Sequence, residues 1–285
     1  MSNDLSFTLI CKNNQLVILD CLSKDEGAGR RLDEDINDFS RTVGRTGYCR
    51  RYVVGNRITL VAALKAIEQD CKTGTLFPAL HFECHGDEER GLWLARSGEY
   101  ISWFDLAKLI APVNAATRNN TAVVLASCHG FKLKNEVSIK APSPFHFLIA
   151  PDQEINAGAI SDSVLPFYKV MIETGELNIA LSHLDSKFRK FMAGEWFYTN
   201  ITHFLTNSFN AKARAKMVEQ AIDVAAAKQG FKNREQLRAY RAHAKKGLSN
   251  TSNLYKTVEK SFLHGQGKVP YEDIKRFVDY LKSIR

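Results

Sequence analysis

Apolar and polar positions follow two different periods up to about residue 200 of the chain. Short continuous apolar runs, rich in Val, Ile, Leu and Phe, are typical of strands that are buried on both faces of a sheet. Between these runs, apolar residues recur every three or four positions, which indicates amphipathic helices. The predicted strands are LSFTLICK, QLVILDCL, YCRRYVV, LFPALHFEC, TAVVLASC and FHFLIA.

Capping residues and breakers mark the ends of four predicted helices. These are RRLDEDINDFSRTV, NRITLVAALKAIEQDC with Asn56 as N-cap, WFDLAKLIA ended by Pro112, and SDSVLPFYKVMIETG, capped by Asp162 or Ser163 and ended by Gly175. A hairpin is predicted where GLWLA and YIS flank the glycine turn RSGE. Because helices alternate with strands, we predict an α/β fold with a mostly parallel sheet and right-handed crossovers.

Composition and charge change near residue 200. Residues 207–285 contain 17 Lys and Arg against 7 Asp and Glu, whereas the rest of the chain contains 22 and 24. We therefore predict two domains, an α/β domain over residues 1–200 and a basic α-helical region over 201–285. Two interpretations of the positive charge stay open. It is solvated on helices that pack against the first domain, or it binds an acidic partner such as nucleic acid or a regulatory protein.

The overall composition is that of a soluble globular protein, with 45% hydrophobic and 25% charged residues. No apolar run approaches the roughly 18 residues that a membrane helix needs, and the first residues lack the pattern of a signal peptide. The six cysteines are scattered, which favours free thiols over a disulfide framework. We expect a cytoplasmic protein that does not associate with membranes.

Two predicted strands end in a reactive side chain followed by glycine, namely His85-Gly86 and Cys128-His129-Gly130. One hairpin, one helix and one strand separate them, so the two strands are predicted to be neighbours in the parallel sheet. Ligand sites in such sheets lie at the carboxyl ends of the strands. An imidazole and a thiol brought together there have the arrangement of a nucleophile and its base.

Other interpretations of the same residues stay open. Cys128 could be a packing residue, and Cys84, His85, Cys128 and His129 together have the residue types of a zinc site. Adjacent residues on a strand point to opposite faces, however, which disfavours a shared metal. For the same reason we expect His129 to point away from Cys128 and to shape the loop. We predict no metal and no cofactor.

The segments around these residues resemble the caspase-like cysteine peptidases of clan CD, which include caspases, metacaspases, separase and the bacterial CHAT domains. The resemblance covers roughly residues 5–180 and is closest to the bacterial type. It implies a caspase-like, mostly parallel sheet flanked by helices. The matching segments are CHGDEERGLWLARSGEYISWFDLAKLI, LASCHG and FHFLIAPDQEINAGAISDSVLPFYKVMIETG.

The resemblance implies a catalytic mechanism, and the sequence departs from the family pattern at two points. Cys128 would attack the peptide carbonyl, His85 would act as general acid and base, and the N–H groups of Gly86 and Cys128 would bind the oxyanion. The connection over residues 131–144 is shorter than the cleavable linker of caspases. Ala126 is neither the Gln of caspases nor the Asp of metacaspases at this S1 position, so the S1 pocket is not carried over there.

Two sets of residues compete for recognition of P1, the substrate residue before the scissile bond. Asp152 and Glu154 follow the predicted strand FHFLIA and favour a basic P1 residue, while Arg30 and Arg31 favour an acidic one. Because acidic residues lie close to the two arginines in sequence, we predict cleavage after Arg or Lys, with Asp152 the first candidate. The alternative that Asp152 only caps a turn stays open.

The expected function is therefore that of a cysteine endopeptidase with a protein substrate. The resemblance further implies an effector of a bacterial defence or stress system, controlled by a regulatory protein or ligand. The alternative is a catalytically silent caspase fold that recruits partners through its basic helical region. Retention of both His85 and Cys128 with their glycines favours the enzyme.

Overall fold

The computed structural model describes residues 12–284 and divides them into two compact units, residues 12–193 and 194–284. The strands in this described part are β1 (Gln15–Asp20), β2 (Cys49–Val53), β3 (Pro78–Glu83), β4 (His85–Asp87), β5 (Gly91–Leu94), β6 (Glu99–Ile101), β7 (Ala122–Ala126), β8 (Phe147–Pro151) and β9 (Phe188–Met192). The helices are α1 (Ala28–Thr42), α2 (Arg57–Lys72), α3 (Trp103–Ala116), α4 (Ala157–Thr174), α5 (Leu177–Leu181), α6 (Ala193–His203), α7 (Ala211–Gln229), α8 (Arg234–Ser249), α9 (Thr251–Phe262) and α10 (Tyr271–Ser283).

The first unit is built on a six-stranded sheet with the order β2-β1-β3-β7-β8-β9. All neighbours are parallel except β8 and β9, which are antiparallel. Strands β1, β3, β7 and β8 are almost entirely buried, as their continuous apolar runs predict. The prediction of an α/β fold with a mostly parallel sheet flanked by helices is confirmed.

Helices cover both faces of this sheet. Helix α1 packs with α4, and α2 packs with α3. Alternate strand residues such as Leu16, Ile18, Ala79 and Val124 belong to the same apolar cluster as residues of α1 and α4. Residues 81 and 83 of β3 point to the same face of the sheet as Ala79, because side chains alternate along a strand. They therefore lie on the α1/α4 side of the sheet.

Most element predictions for residues 12–193 are confirmed, including the hairpin formed by β5 and β6. Asn56 is the N-cap of α2, where its side chain accepts a hydrogen bond from the N–H of Thr59. Gly175 ends α4 in the left-handed conformation at φ 71°. The predicted strand LSFTLICK lies outside the described residues except for Lys12.

Two local predictions are wrong. Pro112 does not end a helix, because α3 continues to Ala116 and buries Val113 and Asn114. Burial of these residues after the proline outweighs the backbone hydrogen bond that proline cannot donate. The N-cap of α4 is Asn156, not Asp162 or Ser163, so the helix begins earlier than the apolar spacing indicates. The antiparallel edge strand β9 was not predicted.

The second unit is helical and has its own aromatic core. Phe197 and Trp196 both stack on Phe262, with ring centroids 5.5 Å and 5.3 Å from its own. The hydroxyl groups of Tyr198 and Tyr255 both donate to Glu259, each at 2.8 Å. The sequence places the domain boundary near residue 200, and the division between the compact units falls between Ala193 and Gly194. None of the helices within residues 12–284 combines the length and the apolar character that a membrane crossing requires.

Candidate functional site

The two predicted reactive residues follow adjacent strands. Strands β3 and β7 are paired in parallel, and the last pair in their register is Glu83 with Ala126. His85 and Cys128 each lie two residues beyond that pair, at the carboxyl edge of the sheet. Both side chains line one cavity of about 310 Å³. The structure therefore brings the imidazole and the thiol to the same depression, as the strand order predicted from the sequence requires.

The backbones at the two strand ends are in direct contact, which explains the glycine after His85. A methyl group added to Gly86 would lie 2.0 Å from the carbonyl oxygen of Cys128. Such a contact is far inside van der Waals distance, so only glycine fits without a backbone shift. The sequence interpretation assigned the N–H group of this glycine to the oxyanion. In the structure its first effect is to let strand β4 approach Cys128.

The turn after β7 gives Cys128 a constrained backbone. His129 adopts the left-handed conformation at φ 55°, which is uncommon for a residue other than glycine and costs about 1–3 kcal/mol. Gly130 is buried beneath the turn, where an added methyl group would lie 2.9 Å from the Cβ of Leu125. The chain thus reverses sharply directly after the thiol, and the strain is concentrated beside the candidate nucleophile.

Cys128 differs from the other described cysteines in its exposure. Cys21, Cys49, Cys71 and Cys84 are buried, whereas Cys128 is partly exposed. Burial raises the pKa of the Cys71 thiol to about 12, with the nearby Asp70 carboxylate acting in the same direction. A thiol in that environment stays protonated and is a poor nucleophile. Among the thiols of residues 12–284, accessibility therefore favours Cys128.

The polar groups around Cys128 come mainly from the loop after β8. The Sγ atom lies 3.4 Å from the N–H nitrogen of Ile155, which donates to it, and 3.5 Å from the carbonyl oxygen of the same residue. The N–H group of Cys128 itself has no acceptor within the described range 12–284. A backbone N–H that is free beside a nucleophile can donate to an oxyanion.

His85 is held by two neighbours. Its Nε2 atom lies 2.6 Å from Oε1 of Glu26, and its ring packs at a centroid distance of 5.4 Å against Trp93 on the paired strand β5. Because the carboxylate accepts the Nε2 proton, the neutral ring has its lone pair on Nδ1. The side chain is 47% exposed, so the ring is accessible to a substrate.

Glu26, which contacts His85, was not among the candidate residues of the sequence interpretation. Its Oε2 atom accepts two hydrogen bonds from Ser23, one from the N–H at 2.8 Å and one from the hydroxyl at 2.7 Å. Partial burial raises the pKa of Glu26, but the Ser23 hydrogen bonds and the His85 ring outweigh it, and the net pKa is below the ordinary 4.5. The sequence signal is the spacing Ser-x-x-Glu, which is typical of a residue pair that closes a local turn.

The cavity beside Cys128 is bounded by four chain segments. They are the loop and helix start after β1, the end of β3, the end of β7, and the loop that leads into α4. Its charged lining residues are Glu26, Arg31 and Glu83. Arg31 is exposed and makes no ion pair with any residue in the range 12–284, whereas Arg30 pairs with Glu34 at 3.5 Å and does not line the cavity.

The predicted S1 residues are distributed between three places. Ala126 lines the cavity with His85 and Cys128. Glu154 lines a shallower depression on the other side of Cys128, together with Gly86 and Lys187. Asp152 lines neither of the two: its carboxylate pairs with Arg189 at 2.9 Å.

Of the residues in the zinc interpretation, Cys84, His85 and Cys128 line the same cavity, whereas His129 does not. Cys84 is buried, and burial together with the hydrogen bond between its thiol and Cys21 raises its pKa well above the ordinary value. His129 lies near Glu88, whose pKa is lowered by Lys132 and, to a smaller extent, by His129. Within residues 12–284, no group of three or more His, Cys, Asp and Glu side chains is arranged to hold a metal ion.

Comparison of the chain with models of protein families and with curated proteins gives no match. The resemblance to caspase-like peptidases thus depends on the motifs and on the residues of this chain.

Proposed function

We propose that this protein is a caspase-like cysteine endopeptidase with Cys128 as nucleophile and His85 as general acid and base. The observation that carries the proposal is the contact between Gly86 and the Cys128 backbone, which brings the two side chains to one cavity. The mostly parallel six-stranded sheet with helices on both faces is compatible with the caspase-like fold that the motifs suggest. Glu26 acts as a positioning residue for the imidazole.

The first step is activation of the thiol. Nε2 of His85 donates to Glu26, so Nδ1 is the nitrogen that accepts the Cys128 proton. The resulting thiolate and imidazolium form an ion pair, and the Glu26 carboxylate stabilises the positive ring. The anionic carboxylate is suited to this role because its pKa lies below the ordinary value.

Acylation and deacylation then use the same groups. The thiolate adds to the peptide carbonyl carbon, and the carbonyl oxygen becomes an oxyanion that accepts hydrogen bonds from the N–H groups of Cys128 and Gly86. Collapse of this intermediate breaks the C–N bond as His85 transfers its proton to the leaving amine. Water, deprotonated by His85, then attacks the thioester, releases the carboxylic acid and restores the Cys128 thiol.

The proposed substrate is a peptide with a basic residue before the scissile bond. The cavity beside Cys128 contains two carboxylates, Glu26 and Glu83, and one guanidinium, Arg31. A cationic side chain is therefore better matched to the lining than an anionic one. The short connection after Cys128 supports an enzyme that works as one chain, because its 3₁₀ turn Gly130–Glu136 is anchored by the buried Leu133.

The test is turnover of fluorogenic peptides by the purified full chain. Cys128→Ala and His85→Ala are expected to abolish turnover with thermal unfolding nearly unchanged, because both residues lie at a partly open edge of the sheet. Cys71→Ala and His183→Ala are the matched controls and are expected to retain activity. In parallel, a peptidyl acyloxymethyl ketone should alkylate Cys128, and mass spectrometry of tryptic fragments locates the adduct.

Two results would contradict the proposal. One is turnover that survives Cys128→Ala, which would place the chemistry elsewhere. The other is a folded protein that neither cleaves any peptide in a library varied at P1 nor reacts with the probe at Cys128. That second result would favour the alternative of a catalytically silent module that recruits partners.

A further inference from the structure

We propose that Glu83 selects the substrate, by binding the guanidinium or ammonium group of the residue that precedes the scissile bond. This inference rests on the proposed peptidase function. Glu83 is the last residue of β3, two residues before His85, and it lies on the α1/α4 side of the sheet. Glu83 lines the same cavity as Cys128. When the scissile bond lies at the Cys128 thiol, the side chain of the residue before that bond enters this cavity and meets the Glu83 carboxylate.

One oxygen of the Glu83 carboxylate has no partner. The side chain is only 10% exposed, and Oε2 lies 2.8 Å from Nε2 of His81. Oε1 has no hydrogen-bond partner among residues 12–284. Oε1 is therefore free to accept a hydrogen bond, and a guanidinium or ammonium group supplies a donor together with a favourable charge.

A buried series of side chains holds the Glu83 carboxylate in place. Nδ1 of His81 lies 3.0 Å from the hydroxyl oxygen of Tyr168 on α4. Burial raises the pKa of Tyr168 well above its ordinary value, so the hydroxyl keeps its proton. On the other side of the ring, Nε2 of His81 donates to the Glu83 carboxylate, which fixes the position of Oε2. The peptidase mechanism does not use this series, and substrate selection gives it a role.

The space around Glu83 extends into a second cavity and has more acidic than basic lining residues. A second cavity of about 100 Å³ adjoins the first, and the two share Arg31, Glu83, Ile160 and Ser161 among their lining residues. The second cavity adds the carboxylate of Asp35. Three carboxylates thus face one guanidinium across both cavities.

Arg31 is the competing determinant, because its free guanidinium would suit an acidic side chain. It is exposed, however, and solvent weakens the field of an exposed charge, whereas Glu83 acts from a site of lower dielectric. Asp152, the carboxylate favoured by the sequence pattern, pairs with Arg189 and lines neither of the two cavities. Glu83 is therefore the best placed of these charges to bind the entering residue.

The experiment compares substrates that differ only in charge at P1. Matched fluorogenic peptides carry Arg, the isosteric neutral residue citrulline, Leu or Asp before the scissile bond, and the full chain is assayed as wild type and as Glu83→Gln. Wild type is expected to prefer Arg to citrulline by about 10²-fold in kcat/KM, as for a charge pair that is largely desolvated. Glu83→Gln, whose amide oxygen still accepts from His81, is expected to reduce that ratio to a few-fold while Leu turnover persists. Glu173→Gln, an exposed change on α4, is the control and should leave the ratio unchanged.

The outcomes separate this inference from the proposed function. A preference for Asp that is lost in Arg31→Gln, or an Arg preference that survives Glu83→Gln, overturns the role of Glu83 but leaves a peptidase. Loss of the preference in Asp152→Asn instead assigns it to the residue that the sequence pattern favours, and also overturns this role. Absence of all turnover and of probe labelling at Cys128 contradicts the proposed function itself. Should Glu83→Gln fail to fold, a wild-type ratio of Arg to citrulline near one still overturns the inference.

Discussion

Replacement of Glu26 by Gln tests whether the carboxylate beside His85 has a role in catalysis. The substitution keeps the size and one acceptor oxygen but removes the negative charge that faces Nε2 at 2.6 Å. In the proposed mechanism His85 becomes positively charged before the substrate is attacked. The variant is therefore expected to lose rate at that step, with little change in substrate binding.

The size of the effect follows from the exposure of the two partners. A hydrogen bond to a charged group is worth about 1.5–3 kcal/mol, or roughly 10- to 150-fold in rate. Glu26 and His85 are 35% and 47% exposed, so solvent screens the pair and the low end applies. We expect kcat to fall about tenfold and KM to stay within twofold, with thermal unfolding unchanged. Asp25→Asn removes a neighbouring exposed carboxylate and serves as the control.

The pH dependence distinguishes a charge effect from a packing effect. The folded pKa of Glu26 lies below 4.5, so its charge is fully present above that value and is lost as the pH falls through the folded pKa. The rates of wild type and Glu26→Gln should therefore differ at neutral pH and converge as the carboxylate becomes protonated. Equal rates for Glu26→Gln and Asp25→Asn at pH 7, or a tenfold gap that persists at the acid end, would refute this role.

Two further predictions follow from the backbone around Cys128. Gly86→Ala must move β4 and the Cys128 turn apart by about 1 Å, since its methyl group would lie 2.0 Å from a carbonyl oxygen, and we expect kcat/KM to fall about 10²-fold. Gly55→Ala, where the nearest atom is 3.9 Å away, is the control, and equal activity of the two variants would contradict the argument. The active protein should also be one intact chain by mass spectrometry. A requirement for cleavage within residues 131–144 would exclude that expectation.

The sequence predicts those parts of the first unit that repeat a period. Buried strands such as β3 and β7 are continuous apolar runs, and α1 and α2 show their apolar faces directly, so these elements were recognisable. Strand β9 was not, because only Phe188, Phe191 and Met192 are buried and the pattern of an edge strand is short. The prediction that Pro112 ends α3 was wrong for a related reason. Local helix propensity predicts that the helix ends at the proline, but burial of the residues that follow it maintains the helix.

The candidate site was predictable where sequence position alone fixes it. His85 and Cys128 follow strands whose adjacency comes from a single crossover, so their meeting could be expected. Glu26, His81 and Tyr168 could not be assigned in this way, since each acts across a boundary between elements. The hydrogen bond between His81 and Tyr168 links β3 to α4, and the two residues are 87 positions apart in sequence.

The order of the strands in the sheet is the physical reason why the residues that support the candidate site could not be predicted from the sequence. Strand β1 pairs with β2 on one side and with β3 on the other, and in the second pairing Asp20 is opposite Glu83. That pairing carries the loop after β1 to the carboxyl end of β3, where Glu26 reaches His85. Had β1 been an edge strand next to β2 alone, the same loop would lie one strand further from the imidazole. Hydrophobic periodicity indicates which segments are strands but does not give their order, and here the order determines which carboxylate faces the imidazole.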